Sequence, residues 1–369
     1  MENKQHVEAL TWLRGIAALL VIFAHCLRAS NVAYTSTDSP ADARLFYAMD
    51  MGDLGVALFF SLSGLTLYLS NSSLSTISDT VGFYVKRFFR IWPAFAIALF
   101  TYVIFNTFFT ALYTAPQGYW IEQHLRPFTF NNIFTYLTLI SDFTGPRGLF
   151  NGAFWSLPVE FHFYIAFPLG LWIVSRIGSI GLLLLSTVFF AVAYFALFPM
   201  EDQSMWSMAP AFFGGMFIGV TTRHWQFRFP LTLSMLTIIT LFAYESAIQN
   251  GILHLPDFPL LRGYNNMLII ISVITVFLVY RTDSSRVPIK IRRILHRYGE
   301  ISYSTYLFHQ LFIGASVLLF LHLGITGDIK PWFTLALTLP GTYAVASLSY
   351  RYIEQPSIAL GRRLALRYS

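Results

Sequence analysis

ALTWLRGIAALLVIFAHCLRA, residues 9–29, decides the fold class. About 20 apolar residues suffice to cross the hydrocarbon core of a bilayer. In this run only Arg14, His25 and Arg28 can carry a charge. The same signal recurs along the chain. Apolar spans are expected near 9–29, 54–70, 88–113, 154–175, 179–198, 205–222, 229–246, 263–281, 301–323 and 331–353. The second is short, and Ser63-Gly64 reads as an interruption in it. The connection at 114–153 is the longest, with Pro116, Trp120 and Pro127. Its weaker apolar run at 133–140 reads as an interfacial or re-entrant helix.

Composition agrees. Of 369 residues, 56% are hydrophobic and 11% charged, against about 25% charged in soluble domains. A soluble fold of this size lacks the polar surface it needs, and lipid is the solvent that tolerates the deficit. The fold class is therefore an all-α integral membrane bundle of about ten transmembrane helices. No polar block is long enough for a separate soluble domain, so 1–369 reads as one membrane domain, with a short basic tail at 354–369. The first apolar run lacks the small-residue cleavage site of a signal peptide. Cys26 is the only cysteine, which excludes an intrachain disulfide and a cysteine metal cluster. No repeat is visible.

The formal charge of +6 is informative through its distribution. With both termini in the cytoplasm, eighteen of the 24 Lys and Arg residues fall on inner segments. These include Arg87, Arg90 and the 281–297 loop. The outer segments hold Arg28, Arg44, Arg126, Arg147, Arg262 and Lys330, and collect acids such as Asp38, Asp142 and Asp257. This satisfies the positive-inside rule. The charge implies no nucleic-acid partner.

Ionisable groups inside spans are costly and mark functional pathways. Arg14 and His25 are eleven residues apart, about three helical turns, so they share a face about 16 Å apart. Arg14 then meets an anion low in the helix, and His25 does acid–base work near the outer end. The bland alternative is a snorkelling arginine and a polar helix end. Arg87 and Arg90 are i,i+3 neighbours at the cytoplasmic mouth. They suit a polyphosphate, or serve as a plain anchor. Glu160 and Tyr164 share a face of the fourth span. Glu160 either lies at the interface or faces an aqueous cavity and pairs with a histidine. His162 points away and is the weaker candidate. Ser302, Tyr306 and His309 form a polar stripe that equally serves as interhelical glue. Glu245 reads as interfacial, Glu354 as the partner of an arginine, and Cys26 as a small hydrophobe. Gly214-Gly215 and Gly219 read as close helix packing. No phosphate-binding glycine loop, HExxH or paired-cysteine motif occurs.

Six segments in order resemble the membrane-bound acyltransferase-3 family. Arg14 to His25 is similar to its Arg/Lys-x10-His signature, and 55–64 (GVALFFSLSG) to its Phe-Phe-x-x-Ser-Gly segment. Arg87-Phe88-Phe89-Arg90 resembles its Arg-x-x-Arg loop, and Trp155-Ser156-Leu157 through Glu160 and Tyr164 its Trp-Ser-Leu-x-x-Glu-x-x-x-Tyr helix. Ser302 through His309 and Tyr352-Ile353-Glu354-Gln355-Pro356 complete the set. The resemblance implies O-acyl transfer, usually acetyl, from cytoplasmic acyl-CoA (acetyl-CoA) to a carbohydrate hydroxyl outside the cell. The sequence does not name the acceptor: lipopolysaccharide O-antigen, exopolysaccharide, peptidoglycan and a small lipid-linked sugar all fit, and a surface polysaccharide or its lipid-linked precursor at a bacterial inner membrane is the favoured reading, with no metal needed. In a departure from many relatives, only a short basic tail follows Pro356, so no appended SGNH-type domain is expected. On this reading His25, Glu160 and Arg14 are catalytic. Arg87, Arg90, Arg14, Ser63, Trp155, Tyr164, Tyr306 and His309 hold the donor. His25 is the general base, oriented by a carboxylate such as Glu160. A transient acyl-enzyme is the rival chemistry. A secondary transporter or a glycan flippase is the rival function, since transporters place charges in the same way.

Overall fold

The computed structural model describes residues 2–29, 50–112, 127–144, 148–194, 205–225, 227–249, 253, 264–324 and 329–368. Arg44, Arg126, Arg147, Arg262 and most acids expected outside, together with Trp120 and Pro116, lie beyond these residues. Among the described residues the protein is helical, and its one extended pairing is a bridge between Phe229 and Thr282.

Each expected span falls on a helix: α1 (Glu2–Ala29), α2 (Gly52–Asn71) and α3 (Ile77–Leu112). After two short helices, α4 (Phe130–Leu137) and α5 (Ser141–Thr144), come α6 (Ser156–Ile177) and α7 (Ser179–Tyr194). Then follow α8 (Met205–Thr222), α9 (Leu231–Gln249) and α10 (Tyr264–Tyr280). The chain continues through α11 (Ile289–Glu300), α12 (Ser302–Leu323) and α13 (Lys330–Ser349). A π turn (Tyr350–Glu354) leads into α14 (Gln355–Ala365). Six described helices have the length and apolarity to cross a membrane, and three shorter apolar helices accompany them. Large apolar side chains such as Ile104, Phe108, Ile180, Leu236 and Ile239 point outward. In water such a surface would be an aggregation site. In lipid it is solvated. This is a multi-pass membrane protein.

The chain groups into two compact units. The first comprises Met1–Val21, Tyr47–Leu74 and Ile165–Glu300. The second comprises Ile22–Phe46, Ser75–Tyr164 and Ile301–Ser369. Lipid tails are as apolar as leucine, so helices in a membrane associate through close packing and small residues. The first unit shows this directly. A Cβ on Gly64 of α2 would strike the Phe212 carbonyl of α8, and one on Gly215 of α8 would strike the Ser61 carbonyl of α2. A Cβ on Gly219 would come within 2.6 Å of the Tyr68 ring. The glycines of α8 are therefore contact points, as their sequence suggested. Gly64 plays the same part, so α2 runs unbroken through Ser63-Gly64. The interruption expected there is absent, because a missing side chain lets the partner backbone approach. Ser61 and Ser272 bond at 2.9 Å and fasten α2 to α10. Glu245 is fully buried in α9, whereas its place in the sequence read as interfacial. Buried Arg281 donates to the carbonyls of Trp225 (2.5 Å) and Phe227, closing the loop ahead of α9 onto the end of α10.

In the second unit, Ile22, Cys26, Phe109, Ile313 and Val317 form the core. The basic segment expected as a tail is α14, packed along α3. A Cβ on Gly361 would lie 2.6 Å from Phe89 Cβ, and Ser78 donates to the Tyr368 carbonyl at 2.6 Å. A capping box between Thr129 and Asn132 starts α4. Trp92 Nε1 of α3 donates to the Leu137 carbonyl at its end (2.8 Å).

Candidate functional site

The polar side chains of the second unit gather along α12. The helix opens with Ser302-Tyr-Ser-Thr-Tyr-Leu-Phe-His-Gln310. Tyr303, Tyr306 and Gln310 follow i, i+3, i+7 and share one face over about 10 Å.

At the N-terminal end of that face lies an arginine cluster. Arg90 Nη1 meets Glu354 Oε1 at 2.6 Å. Ser304 donates to the other carboxylate oxygen at 2.9 Å and lies 3.0 Å from Ser349 Oγ. Glu354 is 1% exposed, so this pairing is what makes its burial tolerable. It is presented by the π turn, a helix irregularity that recurs at functional sites. The Arg90 guanidinium also sits 6.0 Å from the Tyr303 ring centroid, and Tyr303 donates to the Ile91 carbonyl at 2.9 Å. Arg87 lies over Tyr164 (5.6 Å) and Phe83 (5.8 Å). Tyr164 in turn donates to Glu160 Oε1 at 2.5 Å. Two guanidinium groups are thus held by aromatic faces and carboxylates. Both keep the planar fork that matches phosphate oxygens.

Two turns along α12 is an imidazole cluster. His25 Nδ1 and Gln310 Nε2 are 2.5 Å apart. The rings of His25 and His309 meet edge-on, with centroids 5.2 Å apart. His309 Nδ1 lies 2.9 Å from the Tyr306 carbonyl. A carbonyl only accepts, so this bond fixes the proton on Nδ1 and leaves Nε2 of neutral His309 as an acceptor. Tyr306 donates its hydroxyl to the Ala153 carbonyl at 2.8 Å and lies 2.7 Å from Ser156 Oγ. Buried Asn151 donates to the Leu307 carbonyl at 3.1 Å. The turn before α6, with buried Trp155, is thereby fastened to α12 beside the histidines.

The structure regroups the residues that the sequence singled out. Tyr306 and His309 join His25, and Arg87, Arg90 and Tyr164 join one another. Glu160 does not pair with His25: its carboxylate accepts from Tyr164, beside Arg87, and the side chain on His25 Nδ1 is a carboxamide. The i,i+4 relation to Tyr164 wins because both groups sit on one helical face. Glu354 has the arginine partner expected of it. His162 pairs with Asp142 at 3.1 Å and rests on Phe143. Arg14 and Ser63 belong to the first unit. There Arg14 Nη2 donates to Thr66 Oγ1 at 2.8 Å, and Thr66 donates to the Leu62 carbonyl at 2.7 Å and lies 3.4 Å from that of Ser63. Sequence reasoning missed Gln310, Tyr303, Ser304, Thr66 and Asn151. Gln310 and Tyr303 lie next to the stripe through Ser302, Tyr306 and His309, and widening it by one residue captures both. Asn151 carries no periodic signal. Among the described residues, no group of three His, Cys, Asp or Glu side chains is placed to hold a metal ion.

The family model of the acyltransferase domain, type 3, matches residues 7–351. The chain belongs to the acyltransferase-3 family. It is accordingly an acyltransferase. Nodulation protein 10 of Rhizobium leguminosarum is 23% identical, over 96% of this chain and 94% of its own length. Peptidoglycan O-acetyltransferase OatA of Listeria monocytogenes is 25% identical, over 96% of this chain and 56% of that protein. The O-acetyl transferase of Shigella phage Sf6 is 24% identical, over 63% of this chain and 68% of its length. No solved structure matches the chain.

Proposed function

We propose that this membrane acyltransferase moves an acetyl group from cytoplasmic acetyl-CoA to a hydroxyl of a surface carbohydrate. The acceptor is a polysaccharide such as O-antigen or exopolysaccharide, or its lipid-linked precursor, in the cytoplasmic membrane of a bacterium. The charge distribution supports ten spans with both ends in the cytoplasm. The names of the relatives support acetyl as the group and a glycan as the acceptor.

One observation carries the reading: along one face of α12, Tyr303 meets Arg90 and, two turns on, Gln310 and His309 meet His25. Arg87 and Arg90 take the phosphates of the donor, with Glu354 and Tyr164 fixing their planes. Glu160 acts through Tyr164. Trp155, Ser63 and Arg14 keep the donor-binding roles that the family resemblance implies for them. His25 is the general base. With the Gln310 carboxamide turned over, so that its oxygen rather than the nitrogen that faces Nδ1 in the structure accepts from Nδ1–H, Nε2 keeps its lone pair and removes the acceptor hydroxyl proton. The hydroxyl oxygen then bonds to the thioester carbonyl carbon. Collapse of the tetrahedral intermediate breaks the C–S bond, and the imidazolium returns the proton to sulfur. The products are the O-acetyl ester and free CoA. His309, whose Nε2 is also basic, is a second base within relay distance.

The test is His25→Ala in purified protein that still inserts and binds donor. Glycan-dependent release of CoA thiol should stop. Release at the parent rate removes His25 from the chemistry. Translocation of substrate without thioester cleavage favours the transporter reading.

A further inference from the structure

Helix α11, IKIRRILHRYGE, is the most strongly two-faced of the described helices. At 100° per residue, Ile291, Ile294, Leu295 and Tyr298 fall within one sector of about 100°. Lys290, Arg293 and Arg297 flank it on one side and Arg292 on the other. The isoleucines are outside the protein: Ile291 is 47% exposed and Ile294 58%. No described residue of the first unit covers them.

The position of the helix is fixed at its other end. A Cβ on Gly299 would strike the Thr11 carbonyl of α1, and one on Gly15 would lie 2.9 Å from the Gly299 nitrogen. Thr11 and Gly15 bracket Arg14, in the first turns of the apolar run that opens near Glu8. The C-terminal end of α11 is therefore pinned to the first turns of the apolar run that opens near Glu8. Among the described residues Glu300 is the one acid paired with these cations, through Arg297, and Lys290, Arg292 and Arg293 have no acid partner. Glu300 pairs with Arg297 at 3.6 Å and lies 3.9 Å from His296. Asp283 is held below the usual carboxylate range by bonds from Ser285, and it faces Arg228 and Arg286.

We propose that α11 is an interfacial helix that docks on the anionic phospholipid leaflet surrounding the protein. Its isoleucines enter the acyl-chain boundary, and Lys290, Arg292, Arg293 and Arg297 lie against lipid phosphates. An apolar strip flanked by cations, at the root of a span, matches the gradient from hydrocarbon to phosphate. A soluble acidic partner would meet the cations but leave the isoleucines in water. Through the contacts at Thr11 and Gly15, leaflet charge then bears on the helix segment that carries Arg14.

The experiment uses the full chain with a nitroxide at Ile294→Cys and, separately, at Arg293→Cys. Cys26 is buried, so the parent protein serves as the labelling blank. Each protein is reconstituted into phosphatidylcholine vesicles with and without 30% phosphatidylglycerol as the probe, roughly the anionic fraction at which surface potentials become strong. Power saturation by oxygen and by a water-soluble nickel chelate then reports depth. The expected result is a label at 294 that oxygen reaches several-fold better than nickel, and a label at 293 with the opposite preference. Lys290→Gln/Arg293→Gln/Arg297→Gln, read with the label at 294, should abolish the dependence of depth on phosphatidylglycerol. Nickel access at 294 in both lipids overturns the docking. Equal depth in both lipids overturns the anionic requirement. Protection of the site by added CoA but not by phosphatidylglycerol assigns the cations to the donor and also overturns the proposal.

Discussion

Replacing Gln310 tests whether His25 is a positioned base or a helix-packing residue. The structure gives His25 one neutral partner on Nδ1 at 2.5 Å. Gln310→Leu keeps the bulk of the side chain and removes that partner. A neutral hydrogen bond contributes about 0.5–1.5 kcal/mol. Losing it also frees the second tautomer, which lacks a lone pair on Nε2 and costs a further factor of about two. With about 1.4 kcal/mol per tenfold in rate, kcat should fall about 5- to 20-fold while KM for the donor stays near the parent value. Removing the base itself should cost about 10²- to 10⁴-fold. Gln310→Glu keeps an oxygen on Nδ1–H and should recover much of the rate. The assay is glycan-dependent release of CoA thiol by purified protein, with electrospray mass spectrometry of the acceptor. A Gln310→Leu enzyme at the parent rate, or one as inert as His25→Ala, would refute the reasoning. The first outcome makes the contact incidental, and the second makes the carboxamide part of the chemistry.

The other predictions concern the two pairings that hold the site and the bundle. Arg90→Ala leaves the Glu354 carboxylate buried without its cation and should lower stability by about 3–5 kcal/mol. Arg90→Met with Glu354→Gln should recover most of that while donor affinity stays poor. Thermal melts in detergent, followed by donor titration, separate the two effects. Gly215→Val places a branched side chain where α8 touches the α2 backbone. It should cost about 1–3 kcal/mol or more by overpacking. Gly178→Val, where a Cβ meets no atom within 4 Å but the φ of +67° disfavours any side chain, should cost only about 1–2 kcal/mol from backbone strain. The same melts rank the pair, and the reverse order would contradict the packing argument.

What the sequence reveals here depends on which forces act one helix at a time. Apolar length is a property of a single segment, so the expected spans landed on helices even where ends moved, as in α3, which starts at Ile77. The polar face of α12 was half visible for the same reason. Its period is local, and only its width was misjudged. Pairings between helices are another matter. Glu160 and a histidine suggest one another as partners because both are rare groups in an apolar setting, yet rarity carries no distance. The bond that formed is the one a single helix dictates, Glu160 to Tyr164. In the sequence Gln310, a glutamine beside a histidine, looks like one more polar residue. Only the approach of α1 to α12 turns it into the partner of His25. The same holds for Gly64, which reads as a helix breaker in isolation and becomes a contact once α8 lies against it. An uncharged partner on His25 has a chemical consequence. A carboxamide can hold the imidazole in one orientation without stabilising the imidazolium as a carboxylate does. On the proposed mechanism the proton taken up by His25 would then be readily returned to the departing sulfur, which suits a single displacement better than storage of an acyl group on the enzyme.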